Sequence, residues 1–265
     1  MRRLLAGSRG QEQRRIMVSL STLPDRIGNL GPTLRCLLRQ TRPADEIVIA
    51  IPPFSTRQKR GYEIPDFLRE TDRVRVLRCD RDWGPATKFI PLVQEKLAIG
   101  NGEALIVVVD DDRTYPRDLI ETYLHFSAQL PEATLCLRGM RMPRDFDWRG
   151  AVVIRGDRVQ TPEPVAVITG CGSYLIRPRF FDESLWDYSG TPEAAFYMDD
   201  IWISGNLDRR GVEKYVVPSS AYIRQVRRQR ETMTLHDVPD GRQESNNRVI
   251  AHFRETWNVF DPPPP

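Results

Sequence analysis

The fold is set by one stretch of the chain, Glu103-Ala104-Leu105-Ile106-Val107-Val108-Val109-Asp110-Asp111-Asp112-Arg113-Thr114-Tyr115-Pro116. Its five consecutive aliphatic residues, 105 to 109, are typical of a strand that is buried on both faces of a parallel sheet. Turn-forming residues bound this strand, with Asn101-Gly102 before it and Pro116 after it. The three aspartates are therefore predicted to lie at the carboxyl end of a central strand, which is the edge where open α/β sheets bind ligands.

Three adjacent carboxylates at such an edge need an explanation, because like charges repel and the cost grows as water is removed. A divalent cation would cancel the charges. Mg²⁺ and Mn²⁺ prefer carboxylate oxygens, and they often take one or two from protein and the rest from water and phosphates. A fully solvated loop is the alternative, since acidic triplets are common on surfaces. The position directly after a buried strand favours the metal site.

Composition indicates an ordinary globular protein. The 265 residues suit one large α/β domain or at most two small ones, and 40% of them are hydrophobic and 28% charged. With 39 basic and 36 acidic residues, the net charge of +3 is too even to indicate a nucleic-acid partner. No two of the four cysteines, Cys36, Cys79, Cys136 and Cys171, have a short metal-ligand spacing, which argues against structural zinc. The cysteines are consistent with free thiols in a reducing compartment, and two disulfides are the alternative.

No run of the chain approaches 18 consecutive apolar residues, so no transmembrane helix is predicted. The first seven residues are too short for a secretory signal. We therefore expect a cytoplasmic protein, and basic patches leave a peripheral association with a membrane open.

Patterning along the chain predicts alternating strands and helices. Strands are expected at residues 15–20, 46–51, 73–78, 133–137 and 214–217, with the third nearer an edge. Helices are expected from residue 27 or 30 to 39 and over 87–97, 116–130, 199–210 and 247–257. The predicted helix over 87–97 carries Lys88 in its first turn, where a phosphate could meet free amides and an ammonium group. A surface lysine on an exposed helix is the alternative.

Two further segments carry candidate chemistry. Gly170-Cys171-Gly172-Ser173 lies between strand-like runs, where glycine allows either a close backbone approach by a ligand or a packing bulge. Asp199-Asp200 precedes a helix, so the pair either caps the helix dipole or supplies a general base. Residues 224–230 include four arginines, which form a solvated basic face or a phosphate clamp.

These segments resemble nucleotide-sugar glycosyltransferases of the GT-A fold, close to the family 2 type. The match rests on residues 18–22, 109–112 as an Asp-X-Asp motif, 170–173 and 198–202, where the family usually has Glu-Asp before a helix. It covers about residues 15 to 220. The resemblance implies an α/β, Rossmann-like, mostly parallel central sheet flanked by helices, with a small antiparallel addition and a C-terminal lid.

The resemblance also implies a division of the chain. Residues 1–14 would be a loose N-terminal segment. Residues 15–220 would form the GT-A domain, with the nucleotide-binding part at about 15–112 and the acceptor-binding part at about 113–220. Residues 221–265 would be a C-terminal lid or tail.

Roles for individual residues follow from the resemblance. The donor would be contacted by Ser19, Ser21, Thr22, Arg26, Asp80 or Asp82 at the base, Lys88 near ribose or diphosphate, Asp110 at the ribose, and Asp111. Asp112, with Asp110, would hold Mn²⁺ or Mg²⁺ on the diphosphate. His236 is the candidate for a further metal ligand, with His252 as the alternative, and would lie with Arg224 and Arg227 on a lid. Asp200, with Asp199 beside it, would be the base; Asp-Asp in place of Glu-Asp leaves open which carboxylate acts.

The implied function is a metal-dependent, inverting transfer of a sugar, from UDP-sugar in preference to GDP-sugar, to a hydroxyl of a glycan or lipid-linked acceptor. A nucleotidyltransferase is the nearest alternative. That class usually has a glycine-rich loop after the first strand, and Leu20-Ser21-Thr22-Leu23-Pro24 has none. The other alternative is a catalytically inactive glycan-binding module. The presence of Asp110, Asp112, Asp199 and Asp200 together argues against this alternative. The sugar, the acceptor, the linkage and the oligomeric state stay open.

Overall fold

The computed structural model describes residues 15–226 and 241–257. Its helices are α1 (Gly31–Leu38), α2 (Asp66–Glu70), α3 (Ile90–Ala98), α4 (Leu119–Gln129), α5 (Asp199–Arg209) and α6 (Gly241–His252). Its strands are β1 (Ile16–Ser21), β2 (Glu46–Ile51), β3 (Phe54–Ser55), β4 (Arg60–Gly61), β5 (Val74–Arg78), β6 (Leu105–Val108), β7 (Arg113–Thr114), β8 (Thr134–Cys136), β9 (Arg138–Arg141), β10 (Val152–Arg155), β11 (Glu163–Pro164), β12 (Val167–Ile168), β13 (Tyr174–Ile176), β14 (Lys214–Val216) and β15 (Arg224–Gln225).

The central sheet has eight strands in the order β11-β14-β8-β13-β6-β1-β2-β5. The pairings β6–β1, β1–β2, β2–β5 and β14–β8 are parallel. Strand β13 runs antiparallel between β6 and β8. Strands β9, β10 and β12 form a separate antiparallel sheet. The predicted α/β class, with a mostly parallel sheet and a small antiparallel addition, is confirmed, and β5 lies at an edge as expected.

Strand β6 is aliphatic because both of its faces are covered. Ile106 and Val108 pack in one core with Trp202 of α5 and with Phe253. Leu105 and Val107 point the other way, into a second core with α1 and α4. All four strand residues are 7% exposed or less. A strand that faced solvent on one side would alternate with polar residues, so the run of aliphatics correctly predicted a central position.

At the carboxyl ends of β1 and β6, the order in which strands are added to the sheet reverses. From β1 the chain proceeds to β2 and β5 on one side, then returns to β6 on the other side of β1. A crevice forms where consecutive connections diverge in this way. Ser21 and Thr22 follow β1 and Asp110 follows β6, so the two polar segments meet at this crevice.

Three helices begin at residues other than those predicted, and one of them is α4, which begins at Leu119 and not at residue 116. Residues 84–88 form a 3₁₀ turn, and α3 begins only at Ile90, with Pro91 in its first turn. Lys88 therefore lies before the helix and not in its first turn. The C-terminal helix spans Gly241–His252 and not residues 247–257, because the chain turns after His252 and packs Phe253 and Trp257 into the core. The segment 54–67 also contains a short hairpin, β3–β4, that was not predicted.

The structure shows the state of the four cysteines. All four are free, and burial raises the pKa of Cys79 to about 11.

Within the described residues, no helix combines the length and apolar character needed to cross a membrane. Strand β15 pairs with β7, so the chain beyond residue 220 returns to the loop after β6. The division into nucleotide-binding, acceptor-binding and lid segments stays a prediction.

A buried ion pair in the sheet offers a test of the fold. Lys214 of β14 and Asp208 of α5 are paired, with side chains 1% and 4% exposed. Burial raises the pKa of Asp208 to about 6. We expect Lys214→Met to lower the free energy of unfolding by about 3–5 kcal/mol, because it leaves a buried carboxylate without its cation.

The matched control for this ion pair is the double variant Asp208→Leu/Lys214→Met, which removes both charges. It should recover most of the loss, since an apolar pair of similar volume is often neutral. Urea denaturation of the two variants measures the difference. Equal losses in both would contradict an energetic role for the unpaired charge.

Candidate active site

A cleft of about 540 Å³ opens at the carboxyl edge of β1 and β6. The predicted site residues that line it are Ser21, Thr22, Arg26, Asp82, Lys88, Asp110, Asp111, Asp112, Asp199 and Asp200. Two others do not. Ser19 is fully buried and its hydroxyl donates to the Lys88 carbonyl at 2.6 Å, while Asp80 is exposed beside the cleft. His236 and Arg227 lie outside the described residues.

The middle aspartate of the triplet is used by the fold. Asp111 is 6% exposed, and its Oδ2 accepts a hydrogen bond from Thr22 Oγ1 at 2.6 Å. Its Oδ1 lies 3.3 Å from Arg26 Nη1. The Thr33 hydroxyl also donates to the Asp111 carbonyl at 2.9 Å. Asp111 therefore connects the loop after β6 to the loop after β1, and it orients two residues that were predicted to contact the donor.

The outer aspartates have other partners. Asp112 lies 3.4 Å from Arg113 Nε and accepts a hydrogen bond from Gln225 Nε2 at 3.3 Å. Asp110 Oδ1 accepts from Lys88 Nζ at 2.9 Å. Among the described residues, no three His, Cys, Asp or Glu side chains are grouped as a complete metal site. The two carboxylates nevertheless fit a hard divalent ion that takes its other ligands from a bound diphosphate and water.

Lys88 joins the two acidic segments. Its ammonium lies 2.9 Å from both Asp110 Oδ1 and Asp199 Oδ2, and its side chain is 9% exposed. Burial alone would lower the pKa of Lys88, but the two carboxylates outweigh it and hold that pKa well above its ordinary value. The alternative of a surface lysine on an exposed helix is therefore wrong. Whether Lys88 also contacts a ribose or diphosphate stays a prediction.

Lys88→Met should destabilise the protein, because it leaves Asp110 and Asp199 close together without a cation. We expect the free energy of unfolding to fall by about 3 kcal/mol. Mn²⁺ should restore part of this loss in the variant by supplying positive charge. Urea denaturation with and without Mn²⁺ measures both effects.

Lys59→Met is the matched control, since Lys59 is an exposed lysine. It should change stability by less than about 1 kcal/mol. A Lys88→Met protein as stable as the wild type would contradict the bridging role.

Asp199 and Asp200 begin α5, as predicted, but their surroundings differ. Asp199 is 7% exposed and paired with Lys88. Asp200 Oδ1 accepts a hydrogen bond from the Gly170 amide at 2.8 Å, and within the described part of the chain no cation lies at ion-pair distance from it. Loss of solvent, followed by the charge of Asp199, raises the pKa of Asp200 to about 7. A carboxyl group with this pKa can exchange protons near neutral pH.

The Gly170–Gly172 turn places the amide that binds Asp200. A Cβ on Gly170 would overlap Lys88 Nζ and lie 3.1 Å from Asp110 Oδ1, and a Cβ on Gly172 would overlap Arg138. Ser173 ends the turn at φ 63° and ψ 153°, a costly backbone conformation for a non-glycine residue. The glycines thus allow close packing within the protein, which supports the packing alternative.

Several residues that line the cleft had no individual role predicted, namely Arg57, Tyr62, Arg113, Arg138, Trp148, Phe196, Tyr197, Arg242 and Asn246. The Tyr62 hydroxyl donates to the Thr22 carbonyl at 3.0 Å. Asp82 accepts from the Thr56 and Gly84 amides at 2.7 and 2.8 Å, so it joins two loops, and its contact with a base stays a prediction. Arg138 could have been found, because it directly follows the predicted strand over 133–137. Arg242 and Asn246 lie in the first part of α6, which the predicted helix over 247–257 did not include.

Comparisons with known proteins come from structure and not from sequence. No protein-family model matches the chain, and no curated protein matches it. One solved structure that is similar to this chain is that of S. aureus TarS 1–349. It has a TM-score of 0.48 and 16% sequence identity, and the match covers 80% of this chain and 60% of that one.

A second solved structure is GalNAc-T7 with UDP, GalNAc and Mn²⁺, at a TM-score of 0.54 and 12% identity, covering 91% of this chain and 50% of that one. The chain thus spans 50–60% of these proteins. The likeness to GalNAc-T7 shows that the chain has the GT-A fold.

Proposed function

From the GT-A fold and the composition of the cleft, we propose that this protein is a metal-dependent glycosyltransferase that uses a nucleotide-sugar donor. The observation that carries the proposal is the meeting of two acidic segments, Asp110–Asp112 and Asp199–Asp200, in one cleft with Lys88 between them. Because GalNAc-T7 was solved with UDP and Mn²⁺, UDP and Mn²⁺ are the first ligands to test.

Asp112 and Asp110 are the residues that would hold the metal, through oxygens whose present partners are few. A bound Mn²⁺ or Mg²⁺ would neutralise charge on the diphosphate as it leaves. Ser21, Thr22 and Arg26 line the donor side of the cleft. Asp111 would act through Thr22 and Arg26, by fixing their side chains where the nucleotide binds.

Asp200 is our candidate for the base. Asp199 forms an ion pair with Lys88, whereas Asp200 has a backbone amide as its partner and a raised pKa. In an inverting displacement, the acceptor oxygen attacks the anomeric carbon while the carbon–diphosphate bond breaks. Asp200 would take the proton from the acceptor hydroxyl, and Asp199 would hold Lys88 in place. The acceptor is expected to be a glycan or a lipid-linked molecule that offers a hydroxyl group.

Calorimetric titration of UDP and of GDP, each with and without Mn²⁺, tests the proposal on the full chain. We expect one nucleotide to bind only when Mn²⁺ is present, and the purified protein to hydrolyse the corresponding UDP-sugar or GDP-sugar slowly. Binding without hydrolysis would favour a catalytically inactive module of the same fold. Absence of binding by the folded protein would contradict the proposal.

A further inference from the structure

A second cavity of about 190 Å³ adjoins the active-site cleft. The two share Arg113, Arg138 and Cys171, which line both. The charged residues around the second cavity are three arginines and one aspartate, namely Arg113, Arg138, Arg155 and Asp157. The cleft has six aspartates and six cationic residues in its lining, whereas three of the four charged residues around the second cavity are arginines. The second one favours an anion.

The arginines of this cavity differ in their partners. Arg155 makes two hydrogen bonds to Asp157, at 2.9 and 2.7 Å, so its charge is matched. Arg113 lies 3.4 Å from Asp112, which is a proposed metal ligand. Arg138 donates to Thr169 Oγ1 at 3.1 Å and to Cys171 Sγ at 3.5 Å, and over the described residues no carboxylate pairs with it. A half-buried guanidinium without a counter-charge is costly unless a ligand supplies that charge.

The Arg138 guanidinium and the proposed base, Asp200, line the same cleft. Arg138 is bonded to Thr169, and the next residue, Gly170, donates its amide to Asp200. Gly172 packs directly against Arg138, so the same turn positions both groups. An anion on Arg138 would therefore lie close to the hydroxyl that Asp200 deprotonates.

We propose that Arg138 and Arg113 form a subsite for an anionic group, a phosphate or a carboxylate, of the acceptor. The acceptor would then carry this group near the hydroxyl that receives the sugar, as a polyol phosphate or a uronic acid does. Guanidinium groups suit both anions, because their parallel N–H groups bind two oxygens at once. The assignment to the acceptor rests on the proposed function.

Titration of the metal-free full chain with two anionic probes and their neutral analogues tests the subsite. Glycerol 3-phosphate is compared with glycerol, and glucuronate with glucose. We expect the wild type to bind at least one anion and neither neutral analogue, and the tighter anion identifies phosphate or carboxylate as the natural group. Equal binding of an anion and its neutral analogue, or no binding of either anion, would overturn the proposal without any variant.

Arg138→Gln should weaken binding of the favoured anion about tenfold or more, because it removes a charge-assisted contact. Arg138→Lys, which keeps the charge but loses the paired N–H groups, should fall between it and the wild type. Arg149→Gln is the matched control, since Arg149 is an exposed arginine paired with Asp147, with its side chain 73% exposed. Anion binding that is unchanged in Arg138→Gln would overturn the proposal.

A titration of UDP in the presence of Mn²⁺ distinguishes the anion subsite from the proposed glycosyltransferase function. Arg138→Gln should bind UDP as the wild type does. If the variant instead loses UDP binding, the arginines belong to the donor diphosphate and the acceptor assignment is overturned. If wild-type protein fails to bind UDP at all, the proposed function fails, while the anion titration still decides whether the subsite exists.

Discussion

Asp200→Asn should lower the rate of sugar transfer about 10³-fold, because an amide cannot accept the proton of the acceptor hydroxyl. Metal-dependent UDP binding should stay unchanged, since Asp200 is bonded to Gly170 and not to the Asp110 segment. Steady-state transfer kinetics and nucleotide titration on the same preparation measure the two effects. A variant that keeps more than about a tenth of the wild-type rate would exclude Asp200 as the base.

Asp199→Asn tests the difference between the two neighbours. It removes one partner of Lys88 and one negative charge that raises the pKa of Asp200. In the wild type, the transfer rate should fall as the pH drops below the pKa of Asp200, because the base becomes protonated. In Asp199→Asn this acid limb should move to lower pH, and in Asp200→Asn it should disappear. An acid limb that is lost in Asp199→Asn and kept in Asp200→Asn would reverse the assignment.

Asp112→Ala should abolish Mn²⁺-dependent UDP binding, with a loss of about 100-fold or more, since a metal held by only two protein carboxylates depends strongly on each one. UDP binding measured without Mn²⁺ should change little. Calorimetry of UDP with and without Mn²⁺ gives both quantities. Metal dependence that survives in Asp112→Ala would show that the cation is held elsewhere.

Asp111→Asn is the matched control for Asp112→Ala, because it alters the adjacent carboxylate. Asp111 is bonded to Thr22 and Arg26 within the fold, so its replacement should lower the free energy of unfolding by about 1–3 kcal/mol. UDP binding should weaken in Asp111→Asn, because Thr22 and Arg26 lose the group that orients them, but the binding should still depend on Mn²⁺. Loss of the Mn²⁺ dependence in both variants would indicate that the triplet acts as one acidic cluster, contrary to the separate partners of its members.

The sequence was most informative where local pattern and tertiary position coincide. An aliphatic run can be buried on both faces only in the middle of a sheet, so the place of Asp110 at the crevice could be predicted. Asp199 at a helix start was predictable for the same reason, because capping and helix onset are local. The Glu46–Ile51 strand was likewise found with its observed bounds.

Contacts between distant segments could not be predicted in the same way. Lys88 was expected in a helical turn, but Pro91 delays the helix and the lysine is directed between two carboxylates. Ser19 was expected to contact a ligand, yet its hydroxyl satisfies a backbone carbonyl inside the protein. The different partners of Asp111 and Asp112 depend on Thr22 and Gln225, which are 89 and 113 residues away in the sequence. Contacts between residues so far apart in the sequence leave no periodic pattern from which they could be predicted.

The short pairing between β7 and β15 has a thermodynamic consequence. Val226 donates its amide to the Asp112 carbonyl at 2.8 Å, and Gln225 donates to the Asp112 side chain. The energetics of this strand end and of ligand capture at Asp112 are therefore linked, and linkage is reciprocal. If the affinity at Asp112 differs by some factor between the paired and unpaired states of β15, a ligand that saturates Asp112 shifts the β7–β15 pairing equilibrium by that same factor.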